Sequence, residues 1–139
     1  MSKFQCEMFG HILYDPELTY NDVLVREAAL IDGMQAVLDE AEAYHIDFTP
    51  MGDGLRVQCV FHEHTETLFH NLCQKLVPLL DANVHGKLLF VDKGLDFLHI
   101  YLLGQGRFAE STLAIPAVDV GLGAIARDPE PRMKIRKKK

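Results

Sequence analysis

Basic charge is scarce in this sequence until its last eight residues. Only eight Lys and Arg precede Arg132, against twenty Asp and Glu, so residues 1–131 carry a formal charge of −12. Arg132, Lys134, Arg136, Lys137, Lys138 and Lys139 then bring the whole chain back to −6. A body that acidic repels phosphate, so nucleic acid is not an expected partner of the body; the tail alone could make weak, salt-sensitive contact. No apolar run approaches the ~18 to 20 residues of a membrane span. Met1–Gly10 alternates polar and apolar residues where a secretory signal would be continuously apolar. These absences point to a soluble, cytoplasmic protein. Cys6, Cys59 and Cys73 are odd in number and far apart, which suits buried, reduced thiols better than a disulfide framework.

The usual marks of catalysis and cofactor binding are missing too. Ser2 and Ser111 are the only serines, and neither sits in a Gly-x-Ser-x-Gly turn. There is no His-Glu-x-x-His and no Cys-x-x-Cys to build a zinc site. Gly104-Gln105-Gly106 and Gly121-Leu122-Gly123 lack the further spacing of a phosphate-binding loop, and no Lys-Ser or Lys-Thr follows them. No cofactor is implied.

What is present is an alternation of strand and helix patterns. Phe4, Cys6 and Met8 alternate with polar residues, as in a strand with one buried face. Thr19 is placed to cap a long helix running to about His45, in which Gly33 marks a break or a close helix contact. Ile46–Pro50 and Leu55–Phe61 flank Gly52-Asp53-Gly54, a hairpin loop whose glycines tolerate positive φ. Thr65 caps a second helix with an apolar stripe from Leu68 to Leu80. Lys87–Asp92, Leu95–Leu103 and Arg107–Ile115 form a three-strand meander with turns at Lys93-Gly94 and Gln105-Gly106. The segment 116–127 is apolar and should pack across a surface. From Asp128 onward the composition is that of a disordered basic tail. The expectation is one α+β domain over 1–127, an antiparallel sheet of five to six strands packed with two helices. The order resembles a ferredoxin-like unit with two strands appended. Without its first strand, it is similar to the order of profilin-like and roadblock-like domains.

The meander has two apolar faces. With two-residue turns, Tyr101 pairs with Glu110, His99 with Thr112, and Phe90 with Phe97. Leu89, Val91, Leu98, Ile100, Leu102, Ala109, Leu113 and Ile115 share one face, the natural bed for helices. Leu88, Phe90, Phe97, His99, Tyr101, Phe108, Glu110 and Thr112 share the other, which is too aromatic for a solvated face. Its cover is a second copy or another protein, an element of the same chain, or a small ligand. The face is comparable to the aromatic sheets of RNA-binding domains of ferredoxin-like topology, but Leu95–Leu103 contains no Lys or Arg.

The expected function is therefore a non-enzymatic interaction or regulatory module, a homodimer or partner-binding domain anchored by Phe90, Phe97, Tyr101 and Phe108. The basic tail would meet an acidic body. The alternative is a ligand-binding or metal-assisted enzyme. His99, Tyr101 and Glu110 would line its pocket, or His62 and His64, two apart on an extended segment, would hold its metal.

Overall fold

Alternation of buried and exposed side chains along Cys6–Leu13 makes that segment a strand, β1. In the computed structural model, which describes residues 3–126, β1 lies at the centre of a six-stranded sheet. The expected basic tail, 128–139, falls outside the described residues. After β1 comes helix α1, Tyr20–Glu40, whose first turn is capped by Thr19: its Oγ1 accepts from the Asp22 N–H at 3.2 Å. Leu30, Met34 and Leu38 point inward from it. The helix stops before the expected His45 because Glu42 takes a left-handed conformation (φ 62°) and the Ala43 N–H returns to the Leu38 carbonyl at 2.9 Å. Gly33 does not break α1. A Cβ there would lie 3.0 Å from Leu79, so the glycine permits close packing on the far end of the second helical segment.

Strands β2 (Tyr44–Pro50) and β3 (Gly54–Phe61) form the hairpin, and Thr65 caps α2 (Glu66–Leu76), its Oγ1 accepting from the Leu68 N–H at 3.2 Å. A 3-10 turn over Val77–Leu79 ends that segment. Strands β4 (His85–Asp92), β5 (Phe97–Gly104) and β6 (Arg107–Ala114) are the meander, and α3 spans Val118–Ala126. The strand order is β2-β3-β1-β4-β5-β6, antiparallel throughout. Placing β1 between β3 and β4 is the interleaving of the ferredoxin-like unit, with β5 and β6 added at the β4 edge. The profilin-like and roadblock-like readings required β1 to be dispensable, and it is central.

Two expectations about the meander change. The β4–β5 connection is not a two-residue turn. Asp92 Oδ1 accepts from the N–H groups of both Asp96 and Phe97, at 2.9 and 2.8 Å, and Leu95 adopts φ 57°, which makes a longer loop. Phe90 consequently stands opposite His99 rather than Phe97, while Tyr101–Glu110 and His99–Thr112 pair as expected. The shift is two residues, so the faces keep their membership. The second change concerns which face the helices cover. They lie on the aromatic face: Leu88, Phe90, Tyr101 and Leu103 are buried with Met8, Ile12, Leu55, Val57 and Phe61 beneath Leu68, Phe69, Leu72 and Leu76 of α2 and Leu30, Met34 and Leu38 of α1. The expected helix bed, with Leu98, Ile100, Leu102 and Leu113, faces away from them. No described helix is long and apolar enough to cross a membrane.

Candidate functional site

The aromatic face is organised around α2. Phe69 stacks on Phe90 with ring centroids 4.1 Å apart and planes 22° from parallel. Tyr101 meets Phe90 edge-on at 5.6 Å. Of the four residues expected to anchor an interface, Phe90 and Tyr101 are thus core, covered from within by α2. Phe108 is packed partly against that core, and only Phe97, 48% exposed, stands at the surface. The physical reason is the two-fold apolarity of the meander: α2 takes the side where ring-on-ring packing with Phe69 is available.

Among the pocket candidates, Tyr101 and Glu110 do come together. The Tyr101 hydroxyl donates to Glu110 Oε2 at 3.0 Å, and His70 Nε2, from α2, lies 2.9 Å from the same oxygen. His70 is held edge-on to Tyr101 (5.9 Å) and beside Phe108 (5.7 Å). Its bond to Glu110, followed by that of Tyr101, keeps the Glu110 carboxyl below its ordinary range. Burial, then the neighbouring Glu110, pushes the Tyr101 hydroxyl up, so it remains a donor. Glu66 stands one helical turn before His70, and single ligand-competent atoms of Glu66, His70 and Glu110 all lie within 4.8 Å of one another. The spacing of Glu66 and His70 marks them as metal-competent neighbours or a surface ion pair on one helix, but does not foretell their meeting with Glu110. Where a helix sits over a sheet depends on tertiary packing, and no local spacing announces it.

His99 joins a different cluster, with Nδ1 3.1 Å from Thr112 Oγ1 and its ring 5.3 Å from Phe69 and 5.1 Å from His64. His62 and His64 do not converge on one ion. His62 stacks on Phe4 at 4.8 Å and meets Tyr44 at 4.9 Å, whereas His64 turns toward Phe69 and His99. The extended segment assumed for the pair bends as it enters the α2 cap, and the shared side is lost.

Both ring nitrogens of His64 are shielded from solvent without a hydrogen-bond partner. Burial, then His99, lowers its pKa from the ordinary 6.5, while Asp92 opposes them. An unfolded chain therefore binds this proton before the folded one does, and stability declines as pH falls below about 6.5 toward the folded value. The carboxylates Asp92 and Glu110 are shifted down and act in a lower window. Denaturant midpoints measured between about pH 7 and pH 5 should fall for the native chain and fall less for His64→Phe. Equal slopes would show that His64 carries none of the effect.

Among the described residues nothing covers the other face of the sheet. Phe9, Leu13, Leu102 and Leu113 are exposed (38, 46, 49 and 54%), and Val60, Leu89, Val91, Leu98 and Ile100 are half-buried between them. Apolar residues concentrate on β4, β5 and β6. Glu7, His11, Arg56, Gln58 and Lys87 supply polarity on and beside β1 and β3, as the register requires. Beyond β6 the apolar segment expected to cross a surface is α3, yet among the described residues it packs extensively on no other element. Its Val118, Val120 and Leu122 are 75, 66 and 58% exposed.

A separate cleft of about 210 Å³ lies between α1 and the loops beside β1 and β4. Its polar groups already satisfy one another, the Tyr14 hydroxyl donating to Glu27 at 2.6 Å and Arg26 pairing with Asp81 at 2.9 Å. No protein-family model matches the chain, and no curated protein matches it.

Proposed function

We propose that the protein is a non-enzymatic interaction module that self-associates through the helix-free face of its sheet, α3 of one copy lying across β4, β5 and β6 of the other. The observation that carries this reading is that, among the described residues, the chain exposes two apolar surfaces, a sheet face and a helix, and neither covers the other. An open antiparallel face is ordinarily polar, and a contiguous apolar one marks an interface.

Size and charge favour a second copy as the occupant. A nine-residue helix is about 14 Å long, and three strands place their outer axes about 10 Å apart, so α3 matches the width of the apolar band. Exchange of the same element in both directions gives a closed two-fold pair. The chain continues past α3 with six cations in its last eight residues, which would meet the −12 body of the neighbour. The reading places the protein in the cytoplasm, where three unpaired buried thiols are an ordinary state.

The test is solution mass by light scattering on the full chain and on Leu102→Glu/Leu113→Glu. Both positions are exposed in the single copy, so the variant should keep its circular dichroism. Desolvating two unpaired carboxylates per copy should weaken the dimer at least about 100-fold. A monomeric native chain, or a double variant that remains dimeric, would overturn the reading.

A further inference from the structure

The structure assigns a divalent transition-metal site of the zinc class to Glu66, His70 and Glu110, at the junction of α2 and β6. It lies on the helix-covered side of the sheet and is independent of the proposed dimer face.

The donor set is one imidazole nitrogen and two carboxylates. Borderline ions such as Zn²⁺ accept this mixture, whereas Mg²⁺ and Ca²⁺ take oxygen ligands. Glu66 and His70 are four apart on α2 and so share a helix face, and Glu110 approaches from β6. Their ligand atoms lie within 4.8 Å of one another. Bonds of about 2.0–2.2 Å to a common centre require only small rotations of the exposed glutamates. The imidazole would be neutral, with Nε2 as ligand and its proton on Nδ1. The ion would take the place now filled by the 2.9 Å contact between His70 Nε2 and Glu110 Oε2.

Two features distinguish this group from a chance meeting of surface charges. The ring of His70 is packed against both Tyr101 and Phe108, which fixes the direction of its nitrogen. Tyr101 is 1% exposed, yet its hydroxyl reaches outward to Glu110 and orients the carboxylate from behind. Such an outer partner is the usual support of a metal-ligating group. Three protein ligands on a partly exposed edge leave coordination positions open to water. The acidic body adds a favourable field for a dication. With the ion in place, α2 would be clamped to the last strand of the meander.

The experiment is calorimetric titration of Zn²⁺ alone into the chelator-treated full chain, with native mass spectra for stoichiometry. The native chain should take up one equivalent at micromolar affinity, undisturbed by excess Mg²⁺. Tyr101→Phe removes only the supporting hydroxyl and should weaken binding about 10-fold. His70→Ala, checked for folding by circular dichroism, removes a ligand and should weaken it more. His11, His45, His62 and His85 could attract zinc elsewhere, so the His70 variant decides. Binding unchanged in His70→Ala, displacement by Mg²⁺, or no uptake by the native chain would each overturn the assignment.

Discussion

Phe69→Ala is expected to cost about 3–5 kcal/mol of folding stability, the range for removing a fully buried aromatic ring. Phe69 is 1% exposed and is held by rings from both the sheet and the α2 cap: it stacks on Phe90, stands edge-on to Tyr101 at 6.1 Å, and contacts the rings of His64 and His99. Truncation opens a void between α2 and β4–β5, and the surrounding rings cannot close it without leaving their own partners. A domain with roughly 5–15 kcal/mol in total would retain little. Far-UV circular dichroism under urea is the suitable signal, because the chain has no tryptophan. A loss below about 2 kcal/mol would mean that α2 is not seated on the aromatic face as described.

Gly54→Ala is the second large effect, and it arises from backbone rather than side chains. A Cβ at Gly54 would run into the carbonyl oxygen of Ile12 and come within 3.3 Å of His11 Nε2. Gly54 stands opposite Leu13 where β3 meets β1, so relief requires two central strands to part. Overpacking of this kind costs about 1–3 kcal/mol and occasionally more, and the upper part of that range applies when the obstacle is a carbonyl within a ladder. Gly52→Ala is the control. Gly52 has positive φ (91°) with nothing near its Cβ position, so it should lose only about 1 kcal/mol, through backbone strain. If both variants melt alike, the close approach of β1 and β3 is not what requires glycine at position 54.

Those two glycines show how far the sequence could be read. Gly52-Asp53-Gly54 marks a hairpin loop, and a hairpin loop is there, but only Gly52 needs the left-handed region; Gly54 is required by a strand that precedes it by some forty positions. Local signals of this kind were legible. Thr19 and Thr65 cap the helices they announce, and Gln105-Gly106 sets Tyr101 opposite Glu110. The choice of face was not. Leu98, Ile100 and Leu102 are as apolar as Leu88, Phe90 and Tyr101, and alternation separates two faces without saying which one meets a helix. The Lys93-Gly94 turn misled because Asp92 captures two backbone N–H groups, an arrangement not visible in a dipeptide. The site was half legible. Tyr101 and Glu110 follow from strand register, but His70 reaches them only through the tertiary placement of α2.

The central position of β1 also has a temporal consequence. The β2–β3 hairpin and the β4–β5–β6 meander each pair neighbours in sequence and can form early and separately. Among the described residues β1 alone joins them, and it pairs with residues 54–61 on one side and 85–92 on the other. Its ladders close long loops, so their entropy cost falls late. β1, which precedes both of them in the chain, is thus the last to find its place, and Cys6, Met8 and Ile12 stay without cover until both halves of the sheet exist. Until then the chain is two small sheets without a shared core, and that interval is when its apolar surfaces are most open to aggregation.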